Sequence, residues 1–203
     1  LGSASTFSIL GGSAVNNTGA STSAGNIGAP SRASRPDPQI VITAPNAFHD
    51  GDSTYIQAMA DLRLAIADAQ SRTSGTAVTA DISGATFTRG LYTFAAPTVT
   101  TTAGTTITLD AQNNPDAVWI FNFVGQFTPG AANKMLLING AQAANVFFVF
   151  KGGFTLGATS SDYTGTYMSE GNISFGATTF LNGSILALGS VNLSTTQILT
   201  PPV

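Results

Sequence analysis

The sequence contains no cysteine, which excludes disulfide bonds, thiolate nucleophiles and cysteine metal ligands. Charge is also scarce, since charged residues make up 8% of the 203 residues, against about 25% in an average globular domain. The formal net charge of −3 leaves no basic patch that could neutralise phosphates, and this argues against nucleic acid as a partner. No apolar run reaches the length of about 18 residues that a membrane-spanning helix needs.

Catalytic groups are equally few. His49 is the only histidine, so neither a zinc site nor a cofactor is expected, and a Ser–His pair would have to use this one residue. A carbohydrate-active β-solenoid enzyme would need clustered carboxylates with Lys or Arg as base. The only lysines, Lys134 and Lys151, lie outside any acidic cluster. The sequence therefore favours a non-enzymatic protein, with a carbohydrate-active or adhesive β-solenoid module as the alternative.

One polar loop is dense enough to consider as a calcium site: Asp110, Asn113, Asn114 and Asp116. We interpret it as an Asx- and proline-based turn that leads into the next strand, so no metal site is expected.

The residues that replace charge are small and neutral, mainly Thr, Ser, Asn, Gly and Ala, while 43% of the chain is hydrophobic. One segment, residues 53–72, has its apolar residues at alternating spacings of four and three, which predicts an amphipathic helix: Tyr55, Met59, Leu62, Ile66 and Ala69. Asp52 or Ser53 is the expected N-cap. The preceding residues 28–51 are rich in proline and are expected to form an irregular connection.

The rest of the chain is expected to form short strands that repeat. Residues 154–159 and 173–178 are close copies 19 residues apart, and Val191 follows Ile173 by 18. A period of 18–19 residues is about one coil of a three-sided solenoid. Strands that are apolar on both sides, such as residues 118–123 and 146–150, must be covered, and the helix stripe is the candidate cover. We predict a mainly β, right-handed, three-faced parallel β-solenoid with one α-helix, in a single domain over residues 1–203.

A second face of this solenoid is expected to carry short polar residues outward, because alternation places its apolar residues inside. The outward residues are Thr98, Thr100, Thr128, Thr155, Ser174, Asn192 and Ser194. Residues 9–18 look like residues 185–194, so Asn16 and Thr18 are expected to extend this face and the coil order to be discontinuous. On a third face Thr106 and Thr108 fit a polar array, whereas Leu136 does not.

Several segments, in this order, carry a resemblance over nearly the whole chain: residues 7–10, 25–28, 90–92, 114–121, 140–147, 153–157 and 183–187. They resemble the microbial ice-binding (antifreeze) proteins built as an irregular β-solenoid with a parallel α-helix. The resemblance implies a flat face that adsorbs to ice. A Thr-Ala/Gly-x-Thr/Asn pattern associated with ice binding in that family matches at residues 102–105, which adds Thr102 and Thr105 to the candidate site.

The expected partner is therefore an ice surface, and the expected outcome is thermal hysteresis and inhibited ice recrystallisation. A monomer is expected because the small polar face offers no apolar patch for pairing. Low charge and abundant Thr suggest export, and the chain starts at Leu1 without a Met or a signal peptide, as a mature secreted form would.

Overall fold

The computed structural model describes residues 1–36, 40–157, 163–177, 179–194 and 196–199, with residue 179 and residues 196–199 described by their backbone alone. The longest helix, α1, spans Ser53–Ser71, one residue shorter than predicted. Its N-cap is Asp52, whose Oδ1 accepts a 2.8 Å hydrogen bond from the backbone N–H of Tyr55. The described residues contain no helix that is long and apolar enough to cross a membrane.

The strands, numbered in chain order, form three parallel sheets. Sheet A contains β1 (Phe7–Gly11), β3 (Ser21–Ser23), β4 (Asn26–Ala29), β5 (Ile40–Ile42), β6 (Phe48–Asp50), β7 (Thr76–Ala77), β9 (Gly90–Phe94), β12 (Trp119–Phe123), β15 (Val146–Phe150), β17 (Tyr163–Ser169), β19 (Thr179–Ala187) and β21 (Thr196–Leu199). Sheet B contains β2 (Ala14–Asn17), β10 (Thr98–Thr100), β13 (Gln126–Thr128), β16 (Phe154–Leu156), β18 (Ile173–Phe175) and β20 (Ser190–Leu193). Sheet C contains β8 (Thr86–Thr88), β11 (Thr106–Asp110) and β14 (Lys134–Ile138).

The chain visits the sheets in turn, from β9 to β10 to β11 and then back to β12, which is the path of a solenoid. The predicted period of 18–19 residues holds between β16, β18 and β20. It fails in the earlier coils, where Thr98 pairs with Gln126, 28 residues further on. These coils are longer because each includes a separate sheet C strand with its own turns.

The coil order is discontinuous, as predicted. β1 pairs with β19 in the register Ile9 to Ile185, and β2 pairs with β20 in the register Asn16 to Asn192. The first coil of the chain is therefore stacked on the last. The right-handed sense of the coil, its description as three-faced and the single domain over residues 1–203 stay predictions.

The prediction for residues 28–51 was wrong in part, because two further strands, β5 and β6, lie within this segment. They pair with β3 and β4 and continue sheet A. These two strands form because β3 and β4 offer them partners, and the prolines around them, such as Pro36 and Pro45, stand between the strands rather than in them.

Two apolar layers hold the fold together. Inside the solenoid, rings stack from coil to coil, with 4.3 Å between the ring centroids of Phe94 and Phe123 and 4.8 Å between those of Phe123 and Phe150. Outside it, the helix stripe predicted from the sequence packs on sheet A, against Val149, Met168 and Leu186. The helix therefore covers sheet A and leaves sheet B open to solvent.

Candidate functional site

Sheet B alternates between core and solvent, except at Asn17, which stands in register with the buried Leu193 but is polar and half-buried. Its inward residues are fully buried and apolar: Val15, Val99, Phe127, Phe154, Leu156, Ile173, Phe175, Val191 and Leu193. The residues between them point outward. Because every strand is parallel to its neighbour, outward residues of successive coils fall into columns.

The central column contains one residue from each of the six strands. Thr100 lies in register with Thr128, and the pairing of Phe127 with Phe154 places Thr155 next. The column then continues through Ser174, Asn192 and Asn16. We call this set the central column: Thr100, Thr128, Thr155, Ser174, Asn192 and Asn16. Its three Thr residues are exposed and its Ser and Asn residues are half-buried.

Two further columns flank the central one. Two residues before it lies Thr98, in register with Gln126, and Ser190 occupies this column on β20. Two residues after it lie Thr102 at one end and Ser194 and Thr18 at the other, the last two brought together by a 3.0 Å hydrogen bond from the Thr18 N–H to the carbonyl of Leu193. Between these ends the flanking positions are glycines, including Gly157. The flank is therefore an open trough lined by residues such as Thr155, Gly157, Ser174 and Ser194.

Thr105, also predicted as a site residue, does not join a column. It follows Gly104, which has a φ of 73°, in the turn between sheets B and C. Its hydroxyl donates to the carbonyl of Thr102 at 2.8 Å, and its backbone N–H donates to Oδ1 of Asn133 at 2.9 Å. The half-buried side chain is thus part of a corner, whereas Thr102 beside it is exposed.

Hydrogen bonds run along one half of the central column. Nδ2 of Asn16 donates to Oδ1 of Asn192 at 2.9 Å, and Nδ2 of Asn192 donates to Oγ of Ser174 at 3.2 Å. In the other half, the hydroxyls of Thr100, Thr128 and Thr155 have no side-chain partner within the described part of the chain. The column therefore has a hydrogen-bonded half and a half whose hydroxyls face solvent.

The strands of sheet B contain no Asp, Glu, Lys, Arg or His. These columns therefore contain no charged or titratable acidic or basic side chain. Sheet C is less uniform, because Thr106 stands in register with Lys134, and Thr108 with Leu136. The polar array that the sequence suggested for the third face is interrupted by a cation and an apolar side chain.

The other polar groups considered in the sequence have structural partners. Nδ1 of His49 lies 2.7 Å from Oδ2 of Asp52, the helix N-cap. In the loop after β11, Oδ1 of Asp110 accepts from the N–H of Gln112, and Oδ1 of Asn114 from that of Asp116, which are the Asx turns expected there. Among the described residues, no group of three or more His, Cys, Asp or Glu side chains could hold a metal ion.

The sequence analysis missed Ser190 and the glycine trough. Ser190 stands two residues before Asn192, and its Oγ accepts a 3.2 Å hydrogen bond from Nδ2 of Asn192. The spacing of Ser190, Asn192 and Ser194 is the alternation that identified the other outward residues, so this signal was present. The same alternation places Gly157 two residues after Thr155, so its position beside the central column was also predictable.

The fold and this face define a helix-flanked β-solenoid that presents an uncharged array of short hydroxyl and amide side chains in register. The family model described as Ice-binding-like matches residues 9–199. The chain belongs to this family.

Individual relatives agree with that assignment. The crystal structure of an ice-binding protein from the Antarctic ascomycete Antarctomyces psychrotrophicus is similar with a TM-score of 0.92 and 29% identity, covering 100% of this chain and 98% of that chain. An ice-binding protein of Nostoc sp. is 30% identical over 197 residues, which are 96% of this chain and 64% of the relative. An ice-binding protein of Flavobacterium frigoris is 33% identical over 120 residues, 59% of this chain and 41% of the relative. The chain thus spans less than two thirds of these two curated relatives.

Proposed function

We propose that this chain is a non-enzymatic ice-binding protein that adsorbs to ice through sheet B. The observation that carries the proposal is the central column, six short polar side chains in register on one open sheet. Relatives in the family are themselves named ice-binding proteins. The contact residues proposed are the central column together with Thr98, Thr102, Ser194 and Thr18, whereas Thr105 shapes the corner beside them.

The spacing of the columns suits a crystalline partner. Neighbouring coils of a parallel sheet repeat at about 4.8 Å, and alternate residues along a strand lie about 6.6–6.8 Å apart. Side chains on this grid offer hydroxyl and amide groups at regular intervals, while the Thr methyls disfavour a competing disordered hydration layer. The array can therefore hold water molecules in positions that an ice lattice extends.

The rigid and uncharged side chains of sheet B also favour adsorption to ice. β-branching restricts the χ1 angle of Thr100, Thr128 and Thr155, so that docking orders them at little cost in entropy. Charged side chains would keep tightly bound hydration shells, and the strands of sheet B contain none. Adsorbed protein would slow crystal growth, giving thermal hysteresis and inhibition of recrystallisation. We further propose that the protein acts as a secreted monomer.

The test is to label the protein with a fluorophore and grow an ice hemisphere in its solution. We expect the wild type to be incorporated into the ice. Thr155→Tyr places a ring in the middle of the central column, holds the sheet off the ice and should lower the affinity by about tenfold or more, since about 1.4 kcal/mol of lost contact is a factor of ten.

The matched control is Thr22→Tyr. Thr22 is the exposed central residue of a three-residue strand, as Thr155 is, but it belongs to sheet A. The control variant should behave as the wild type. Exclusion of the wild type from the ice would refute ice binding and favour the adhesive alternative. Equal loss in both variants, or in neither, would refute sheet B as the binding face.

A further inference from the structure

The side-chain amide of Asn192 makes three hydrogen bonds to other side chains of sheet B. Its Oδ1 accepts from Nδ2 of Asn16 at 2.9 Å. Its Nδ2 donates to Oγ of Ser174 and to Oγ of Ser190, both at 3.2 Å. A side-chain amide has two N–H donors and one carbonyl acceptor. Ser174 on β18 and Ser190 on β20 therefore use both donors of Asn192, and Asn16 on β2 uses its acceptor.

These contacts fit the observed orientation of the Asn192 amide as long as the Asn16 amide keeps its own. If the amide of Asn192 were turned over, its Nδ2 would face Nδ2 of Asn16, and two donors would oppose each other. In the observed orientation Asn16 keeps its Oδ1 for an outside donor. Ser174 uses its oxygen as the acceptor of the Asn192 N–H, so its own O–H is left to donate outward.

One half of the central column needs hydrogen bonds to order its side chains, and the other half does not. Thr100, Thr128 and Thr155 are β-branched, and their χ1 angles are restricted without a partner. Ser and Asn have no such restriction, and ordering each flexible side chain on binding costs entropy and lowers the affinity. Hydrogen bonds that order Asn16 and Ser174 beforehand remove that cost from adsorption.

We propose that Asn192 is a positioning residue of the ice-binding face. It holds the Asn16 amide and the Ser174 hydroxyl so that they offer an acceptor and a donor to the ice lattice. Asn192 thus acts mainly through its two neighbours and not as a further contact of its own. This inference rests on the proposed function, and its test separates the two.

The decisive variant is Asn192→Thr. It removes the amide but places at this position the residue type that the other half of the central column already contains. If Asn192 were only one more contact, the variant would bind ice as well as the wild type. If Asn192 positions its neighbours, the affinity for ice falls by about fivefold, within the range of coupling seen between contacting residues. Affinity is measured by the labelled protein retained in the ice hemisphere across a dilution series.

Rescue distinguishes positioning from damage to the fold. The triple variant Asn16→Thr, Ser174→Thr and Asn192→Thr replaces the hydrogen-bonded half with β-branched residues that need no partner, so its affinity should return toward that of the wild type. Asn26→Thr is the matched control. Asn26 also links neighbouring strands through its amide, accepting from the N–H of Ala47, but lies on sheet A. Its variant should lose no ice affinity.

A measurement on the wild type keeps the inference testable if a variant fails to fold. The Asn16 and Asn192 side-chain amides should show NMR order parameters near those of rigid backbone, about 0.85. Flexible amides in a folded wild type would overturn the inference, and so would undiminished affinity of Asn192→Thr. A wild type excluded from ice would instead refute the proposed function.

Discussion

Asn16 and Asn192 share a 2.9 Å hydrogen bond although 176 residues separate them in the sequence. The bond reflects the stacking of the first coil on the last, in which β1 lies between β19 and β4 in sheet A. All five residues of β1 are buried. Residues 7–11 thus form an interior strand of the solenoid, and the six-residue central column includes Asn16 from the strand that follows it.

Hydrogen exchange should show this placement directly. Residues near a chain terminus ordinarily exchange quickly because they fray. We expect the amides of Ile9 and Leu10 to be protected as strongly as those of Tyr167 and Met168 in β17, which also lies between two strands. Mass spectrometry of deuterated peptides would measure it, with a peptide that contains the exposed residues 73–74 after α1 as the rapidly exchanging reference. Fast exchange throughout residues 1–11 would contradict the stacking of the first coil on the last.

Two glycines should differ in how far substitution by alanine lowers stability. A Cβ at Gly183 would overlap the backbone carbonyl of Gly165, which cannot move away as a flexible side chain can. We expect Gly183→Ala to lower the free energy of unfolding by about 3 kcal/mol or more, as overpacking and backbone shifts do in tight sites. Thermal or urea unfolding monitored by circular dichroism measures the change.

Gly157→Ala is the matched control, because a Cβ there meets nothing within 4 Å. Its stability should stay within about 0.5 kcal/mol of the wild type. The added methyl stands in the trough beside the central column, so retention of the labelled protein in ice should fall while stability does not. Destabilisation equal to that of Gly183→Ala would contradict the described packing.

The helix is predicted to depend on one stripe alone. Leu62 is fully buried against sheet A, whereas Leu64, two residues further on, is 69% exposed. Leu62→Ala should cost about 2–5 kcal/mol of unfolding free energy, from lost burial and the cavity left behind. Leu64→Ala should change it by less than about 0.5 kcal/mol. Urea unfolding of both variants provides the comparison, and equal effects would mean that the helix does not pack as described.

The helix N-cap should make stability depend on acidity. The pKa of Asp52 is lowered, first because the backbone N–H of Tyr55 donates to its carboxylate and second because His49 hydrogen-bonds to it. A lowered folded-state pKa means that the cap stabilises fully above about pH 4 and is lost as the pH falls through the folded value. Asp52→Ala should therefore cost about 1 kcal/mol near neutrality.

The measurement is the midpoint of thermal unfolding between about pH 7 and pH 2. The difference between wild type and Asp52→Ala should shrink as the solution becomes acidic. Asp68→Ala is the control, since it removes only an exposed ion pair with Arg72, worth less than about 1 kcal/mol. A wild type and Asp52→Ala variant separated by a constant difference at every pH would contradict the role of the carboxylate.

The sequence analysis succeeded where the pattern was local. The helix stripe from Tyr55 to Ala69 follows from spacing alone, and the buried Val99 between exposed Thr98 and Thr100 follows from strand alternation. The likeness of residues 9–18 to residues 185–194 even predicted the pairing of the two coils. These signals are strong because each depends on the residues of one short segment or on two similar segments.

The sequence analysis was insufficient where residues outside a segment determine the structure of that segment. β5 and β6 are three residues long and form because β3 and β4 offer them partners, which no local pattern reveals. Only the structure shows that the hydroxyl of Thr105 donates to the carbonyl of Thr102 in the corner between sheets B and C, and its part in binding stays a prediction. The direction of each hydrogen bond at Asn192 likewise depends on side chains from three strands.

Periodicity in the chain was thus sufficient to define the helix, the inward and outward residues of the sheet B strands, and the small uncharged surface. The alignment of those outward residues into one column, with Asn16 beside Asn192, the glycine trough on its flank and Thr105 turned into a corner, came only from the stacking of coils. Alternation along a strand is imposed by the backbone of that strand, whereas register between strands is set by hydrogen bonds and core packing among residues far apart in the sequence.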